Sequence, residues 1–297
     1  MRKSMYQSGR CEKHLKRVDL HMHSKYSDGS CTVAELLEMA EKENLSIISI
    51  TDHDKLNAYD ELKEMNSSAI FKGNILAGCE CKCVYEHIPI EILGYGFDVS
   101  TFSQCFVLKK QDLKEIQTEY LERLKRVGKK IGLILNPELA LNENIIYASD
   151  AMDREVKKYP ENEEILKKNH IQIKTNFYRD CQSNKESIFY IDETQKFPKP
   201  EEVIAEIHKA GGLAFLAHPF IYPFPNKKEK IEKIVQNYQI DGLECYYSLF
   251  TQEEKDWIKN LAEKYHKFVS GGSDFHGISK PDIAIGSGKG DLVVDEA

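Results

Sequence analysis

The chain has 297 residues and a formal charge of −7, with 48 acidic against 41 basic side chains. That length suits one large domain or two small ones, and the acidic balance argues against a broad surface for duplex nucleic acid while leaving room for a phosphate-bearing substrate served by bound cations. No apolar run reaches the length of a membrane span and none follows the basic positions 2–17 as a signal sequence. The sequence therefore predicts a soluble, cytoplasmic protein whose eight scattered cysteines stay reduced.

Residues 1–17 are polar and read as a loose arm. Val18, Leu20 and Met22 then alternate with Asp19, His21 and His23, the period of a β-strand. His21 and His23 project to one side at its C-terminal end, where a pair of imidazoles can grip one divalent cation. An isolated pair of this kind is as often a surface feature; the weight comes from what recurs downstream. Ser27-Asp28-Gly29-Ser30 reads as a turn that adds a carboxylate. Residues 32–44 show helical spacing in Val33, Leu36, Leu37 and Ala40, with Thr32 and Glu35 as a capping box. Residues 45–50 form a second strand, running into Thr51-Asp52-His53-Asp54, and 57–66 a second helix.

A third strand, 74–79, delivers Glu80. Cys79, Cys81 and Cys83 share the face away from Glu80 and read as small buried hydrophobes rather than a thiolate metal site. A fourth strand, 88–95, carries Glu91 among Ile88, Ile90 and Ile92. The rhythm then changes. A long charged helix spans 107–131, and 137–195 is polar and helical in patches. Strand–helix alternation returns with a helix at 201–210 and a strand at 213–217 ending in His218. A helix at 228–238, a strand at 242–246 with Glu244, and a helix at 252–265 follow. The seventh strand, 268–272, ends in Asp274 and His276.

Repeated strand–helix units predict parallel strands, sheeted or closed into a barrel, with chemistry where strands meet their following helices. His21, His23, Asp28, His53, Glu80, His218, Asp274 and His276 all fall at such places; only Glu91 lies within its strand. Asp52 and Asp54 cap neighbours or orient a ligand histidine, and Glu244 stands equally as ligand or as orienting group. His14, His170, His208 and His266 read as non-ligands, and His87 as a loop residue.

The segments DLHMHS with SDG, TDHD, GCE with ILGYG, GGLAFLAHP and GGSDFHG follow one another through residues 18–98 and 200–290. Together they resemble the polymerase-and-histidinol-phosphatase (PHP) family, and SDG after His-x-His is more similar to its nucleotide-phosphoesterase branch. The resemblance implies an α/β fold with a distorted (β/α)7 barrel; from the change of rhythm, 1–99 and 196–297 are predicted to build it, with 100–195 inserted as a mostly helical cap. It implies two or three divalent ions, Mn, Fe or Zn with Mg possible. One would be held by His21, His23, Glu80 and Asp274, a second by Glu80 and His218, and a third by Asp28, His53 and His276. Where relatives place a ligand histidine, this chain has Glu91. A buried carboxylate needs a partner or a metal, so Glu91 is predicted to join the second ion, an ion pair with Lys or Arg being the alternative. Relatives often carry an Arg-Pro-His segment in the insertion; here Arg154 and Arg179 are the candidates for substrate phosphate.

The function implied is hydrolysis of phosphate esters of nucleotides or short oligonucleotides, by hydroxide from water whose pKa a cation lowers to roughly 7. No serine or cysteine stands in a nucleophile setting. Competing readings are a phosphatase for histidinol phosphate or a similar small metabolite, and a metal-binding module without turnover that serves a protein partner.

Overall fold

The computed structural model describes residues 17–105, 113–192, 197–290 and 292–294. Local rules set the first elements. The Thr32 hydroxyl accepts the Glu35 N–H while the Glu35 carboxylate accepts the Thr32 N–H at 2.7 Å. This reciprocal cap contributes about 1 kcal/mol and starts helix α1 (Val33–Lys42) where the sequence predicts it. Val33, Leu36, Leu37 and Ala40 form its buried face, packed with Met22, Ile48 and Ile50. Burying each of the larger side chains contributes about 1.5–3 kcal/mol.

Strands β1 (Arg17–Met22), β2 (Leu45–Ile50) and β3 (Asn74–Ile75) make a parallel three-stranded sheet in that order. A second sheet holds β4 (Gly78–Tyr85), β5 (Ile88–Tyr95), β6 (Leu213–Leu216), β7 (Gly242–Tyr247) and β8 (Phe268–Gly272). Within it β4–β5 and β5–β6 are antiparallel and β6–β7 and β7–β8 parallel. The architecture is thus mixed α/β, with eight strands among the described residues rather than the seven expected and two antiparallel pairings where parallel ones were expected. The predicted strand 74–79 is interrupted at Leu76 and Ala77. Glu80 is therefore the third residue of a longer strand that turns back at exposed Glu86 and His87, not the last of a short one.

Backbone hydrogen bonds join the two sheets at both margins. Asp274 N–H donates to the His21 carbonyl (2.8 Å) and His23 N–H to that of Phe275 (2.9 Å); Asp54 N–H donates to Glu80 (3.0 Å) and Glu80 N–H to Thr51 (3.2 Å). The first margin requires glycine at 272, because a Cβ there would lie 2.3 Å from the His21 backbone nitrogen.

Helix α2 spans Asn57–Glu64. Between β5 and β6 the chain runs through α3 (Leu113–Ile131), α4 (Ala148–Lys158), α5 (Glu161–Lys168) and a five-residue π-helical turn at Tyr178–Gln182. Part of the predicted helix, 107–112, lies outside the described residues, as do 1–16 and His14. Tyr120, Leu124, Met152, Phe177 and Phe189 build an apolar cluster of this helical segment alone, separate from the main core. Helices α6 (Pro200–Lys209), α7 (Lys227–Asn237) and α8 (Gln252–Lys264) then pack on the second sheet, contributing Val203, Ile207, Ile234 and Ile258 to the main core. Cys79, Cys81 and Cys83 are fully buried in that core, as their strand face predicts. No described helix is long and apolar enough to cross a membrane.

Candidate metal centre

Strand ends and the turns after them carry His21, His23, Asp28, His53, His218, Asp274 and His276 to one place, and the interiors of β4 and β5 add Glu80 and Glu91. Four overlapping sets result: His23, Asp28, His53 and His276; His21, His23 and Asp274; His21, Glu80 and His218; and His53, Glu80 and Glu91. Within each set the candidate ligand atoms lie within 4.8 Å of one another. All nine residues singled out in the sequence are thus together. Asp274 and His218 reach the centre with left-handed backbone, φ 57° and 23°, a strain of about 1–3 kcal/mol each that surrounding packing must offset.

Glu80 is the hub. Its Oε2 lies 3.3 Å from His21 Nε2, 3.3 Å from His23 Nε2 and 3.2 Å from His53 Nδ1, and its Oε1 lies 2.7 Å from His218 Nε2. Asp274 Oδ1 lies 3.3 Å from His23 Nε2 and 3.4 Å from His276 Nδ1, and Asp28 Oδ1 lies 3.2 Å from His276 Nε2. His21 Nε2, His23 Nε2 and His53 Nδ1 are buried and make no hydrogen bond among the described residues. Buried polar atoms are seldom left so. Nitrogen lone pairs that converge with carboxylates are the donor set of Zn, Mn or Fe, so the residues present fit a divalent cation.

The surroundings hold these groups in place. Glu244 is fully buried, and its two oxygens accept from His21 Nδ1 (2.8 Å) and the His218 N–H (2.7 Å). With both engaged, it is placed to orient His21 rather than to ligate. Asp52 takes the Ser24 N–H (2.8 Å) and the hydroxyls of Ser24 and Ser27 (2.6 Å each), fixing the turn that carries Asp28. Asp54 accepts the Lys82 N–H at 3.0 Å. His208 pairs with Asp241 at 2.7 Å, away from the centre.

Burial disfavours a charged His21, but Glu244, Glu80 and Asp274 outweigh it and hold its pKa well above the ordinary imidazole value. Burial likewise opposes a charged His23, while Asp274 and Glu80 push it up to about 10. Glu80 and Asp274 show the converse: burial would raise them, yet neighbouring His21 and His53, or Lys280 and His276, keep them well below the carboxylate range. Protons and a cation therefore compete for the same nitrogens. Ligation needs neutral imidazole, so cation affinity should rise with pH up to the raised histidine values, and cation uptake at pH 8 should release protons. Titration of Mn into weakly buffered protein with a pH dye measures this. Uptake without proton release would mean that His21 and His23 are already neutral or are not the ligands.

A cavity of about 880 Å³ opens over the centre. Asp28, Glu80 and Asp274 line it together with Arg154 on α4 and Arg179 in the π-helical turn. Arg154 donates to Ser279 Oγ at 3.2 Å. Arg179 Nη2 lies 3.9 Å from Glu91 Oε2, which is also 3.5 Å from His218 Nε2. Glu91 thus has both partners that its sequence allows, a metal set and an arginine.

Sequence reading missed Tyr247, whose hydroxyl donates to Asp274 Oδ2 at 2.7 Å, and Lys280, whose ammonium meets the same oxygen. The register of β7 slips between Glu244 and Tyr246, a bulge that resets the side-chain alternation. Lys280 follows a 3-10 turn at Gly277–Ser279 that carries no period to read.

The PHP domain family model matches residues 19–272. The chain is 27% identical over 263 residues to the 5′-3′ exoribonuclease Rnm of Escherichia coli, covering 87% of this chain and 84% of that protein. It is 24% identical over 277 residues to the 3′,5′-nucleoside bisphosphate phosphatase of Chromobacterium violaceum, covering 88% of each. Among solved structures, an amidohydrolase from Chromobacterium violaceum superimposes with a TM-score of 0.69 at 21% identity, over 95% of this chain and 91% of that one.

Proposed function

The chain belongs to the PHP domain family, and from that premise we propose that it is a metal-dependent phosphoric ester hydrolase acting on nucleotides or short oligonucleotides with a terminal phosphate. The observation that carries this reading is the convergence of three unbonded imidazole nitrogens on one Glu80 oxygen, at a cavity that two arginines also line. His21, His23, Glu80 and Asp274 would hold one ion, Glu80, Glu91 and His218 a second, and Asp28, His53 and His276 a third. Mn, Fe or Zn suits the donors, and Mg is compatible with the carboxylates. Such ions supply an activated water and neutralise phosphate charge.

The chain's own residues do the positioning. Glu244 holds the His21 ring through Nδ1 and leaves Nε2 facing the centre. Arg154 and Arg179 offer forked, permanently charged donors to phosphate oxygens. The names of the Escherichia coli and Chromobacterium violaceum relatives support a nucleotide or oligonucleotide substrate, and the acidic balance favours short strands over duplex. We read the two sheets as one distorted (β/α)7-type barrel, supported by the hydrogen bonds at both margins, and 100–195 as a cap over its mouth. We also place the enzyme in the cytoplasm; all cysteines among the described residues are free thiols.

Purified protein supplied with Mn should hydrolyse nucleoside bisphosphates or short RNA. Turnover of histidinol phosphate alone, or none with metal bound, would overturn the proposal in favour of a small-metabolite phosphatase or a non-catalytic module. Arg154→Ala and Arg179→Ala should keep their metal content, and at least one should raise KM about tenfold or more, the loss of a charged hydrogen bond. Unchanged kinetics in both would put phosphate binding elsewhere.

A further inference from the structure

Lys82 is a charged side chain on β4 that is only 9% exposed. Its strand position is opposite Glu91 and two residues beyond Glu80, so it shares the face that builds the metal centre. Its ammonium lies 4.5 Å from the Tyr178 ring centroid, 5.3 Å from that of Phe197 and 5.5 Å from that of Tyr147. These are cation–π distances, and burial strengthens the attraction.

Two of the rings belong to the helical segment, at telling positions. Tyr147 is the residue on which α4 begins, and α4 carries Arg154. Tyr178 opens the π-helical turn and directly precedes Arg179. One barrel-side charge therefore docks both backbone elements that present the arginines to the cavity. Tyr147, Tyr178 and Lys82 all line that cavity.

We infer that Lys82 is a positioning residue for substrate, fixing Arg154 and Arg179 over the metal centre through its aromatic cage. The inference rests on the reading of those arginines as phosphate ligands. Lys82 itself need not touch substrate or cation: without its charge the rings lose a shared anchor, and the arginines lose their common pose.

The test uses the full chain loaded with Mn. Lys82→Met keeps the stem and removes the charge. It should raise KM about tenfold, the order expected for a buried cation–π cage, with kcat within about twofold and metal content unchanged. Lys82→Arg, which keeps the cation, should restore KM. Amide hydrogen exchange in 148–158 and 178–182 should quicken in the Met variant while β1 and β8 stay protected. Tyr178→Leu approaches the cage from the other side and should raise KM in the same way; it decides the matter if Lys82→Met does not fold. An unchanged KM in Lys82→Met, equal impairment in Lys82→Arg, or loss of metal would each overturn the inference. Arg154→Ala and Arg179→Ala are assayed beside these variants. If both are silent, the phosphate reading falls, while the exchange data still judge whether Lys82 docks the segment.

Discussion

His21→Ala and Asp274→Ala should each abolish hydrolysis while the chain still folds. The two residues come from opposite ends of the sequence and meet because Asp274 N–H donates to the His21 carbonyl at 2.8 Å. His21 Nε2 is 3.3 Å from Glu80 Oε2 and 3.6 Å from Asp274 Oδ1, and it makes no hydrogen bond among the described residues. Asp274 Oδ1 serves His21, His23 and His276 at once, so its loss removes the one carboxylate common to all three. Lys280 and Tyr247 both bond its other oxygen, and Asp274→Asn keeps that shape while removing the charge. Circular dichroism and the melting temperature establish folding; metal content and turnover establish the loss. More than a tenth of wild-type activity in an alanine variant, roughly 1.4 kcal/mol in barrier, would refute the assignment.

The second large effect is expected at Glu91. It is 8% exposed on a strand whose other face is apolar, among Ile90 and Ile92. Oε2 lies 3.5 Å from His218 Nε2 and 3.9 Å from Arg179 Nη2, and Oε1 lies 3.9 Å from His53 Nδ1. A buried carboxylate costs several kcal/mol unless paired or ligating, and the geometry gives it both chances. If it ligates, Glu91→Ala should lose about one equivalent of metal and most of the rate, whereas Glu91→His, which supplies a nitrogen ligand in its place, should recover metal content. The carboxylate also shifts preference towards harder ions, so wild type should retain Mn or Mg better than Glu91→His does. If instead Glu91 serves only to hold Arg179, Glu91→Ala keeps full metal stoichiometry and raises KM, and histidine cannot repair it. Metal analysis beside KM separates the two.

Much of this centre is legible in the sequence, because the residues that build it obey short-range rules. His21 and His23 follow strand alternation, and Thr32 and Glu35 announce a helix start. His218, Asp274 and His276 mark where strands stop. What escaped depends on departures from period. The break at Leu76 and Ala77 divides one expected strand into two, and the bulge in β7 turns Tyr247 towards Asp274 against the alternation set by Glu244. Lys82 stands between two cysteines with no local signal to mark it; Tyr147, Tyr178 and Phe197 come near it only by tertiary contact. Arg154 and Arg179 could be nominated by chemistry alone, but nothing in their local sequence tells which way they face.

The helical segment departs from β5 and rejoins at β6, and these two strands are direct neighbours. Tyr95 pairs with Leu213 in the ladder, and beyond it the Asp98 N–H donates to the Ala210 carbonyl at 2.9 Å. This pairing forms a hairpin-like stem at the base of the excursion, which is tied to the second sheet again where the Val84 N–H donates to the Pro198 carbonyl at 2.9 Å and where Lys82 meets the Tyr147 and Tyr178 rings. Doubling the length of a loop so closed adds only about 0.6 kcal/mol of closure entropy, so the stem can carry excursions of different length. That makes the stem a natural splice point. Exchanging what hangs there, arginines included, would redraw the wall above the centre while leaving the residues beneath it in place.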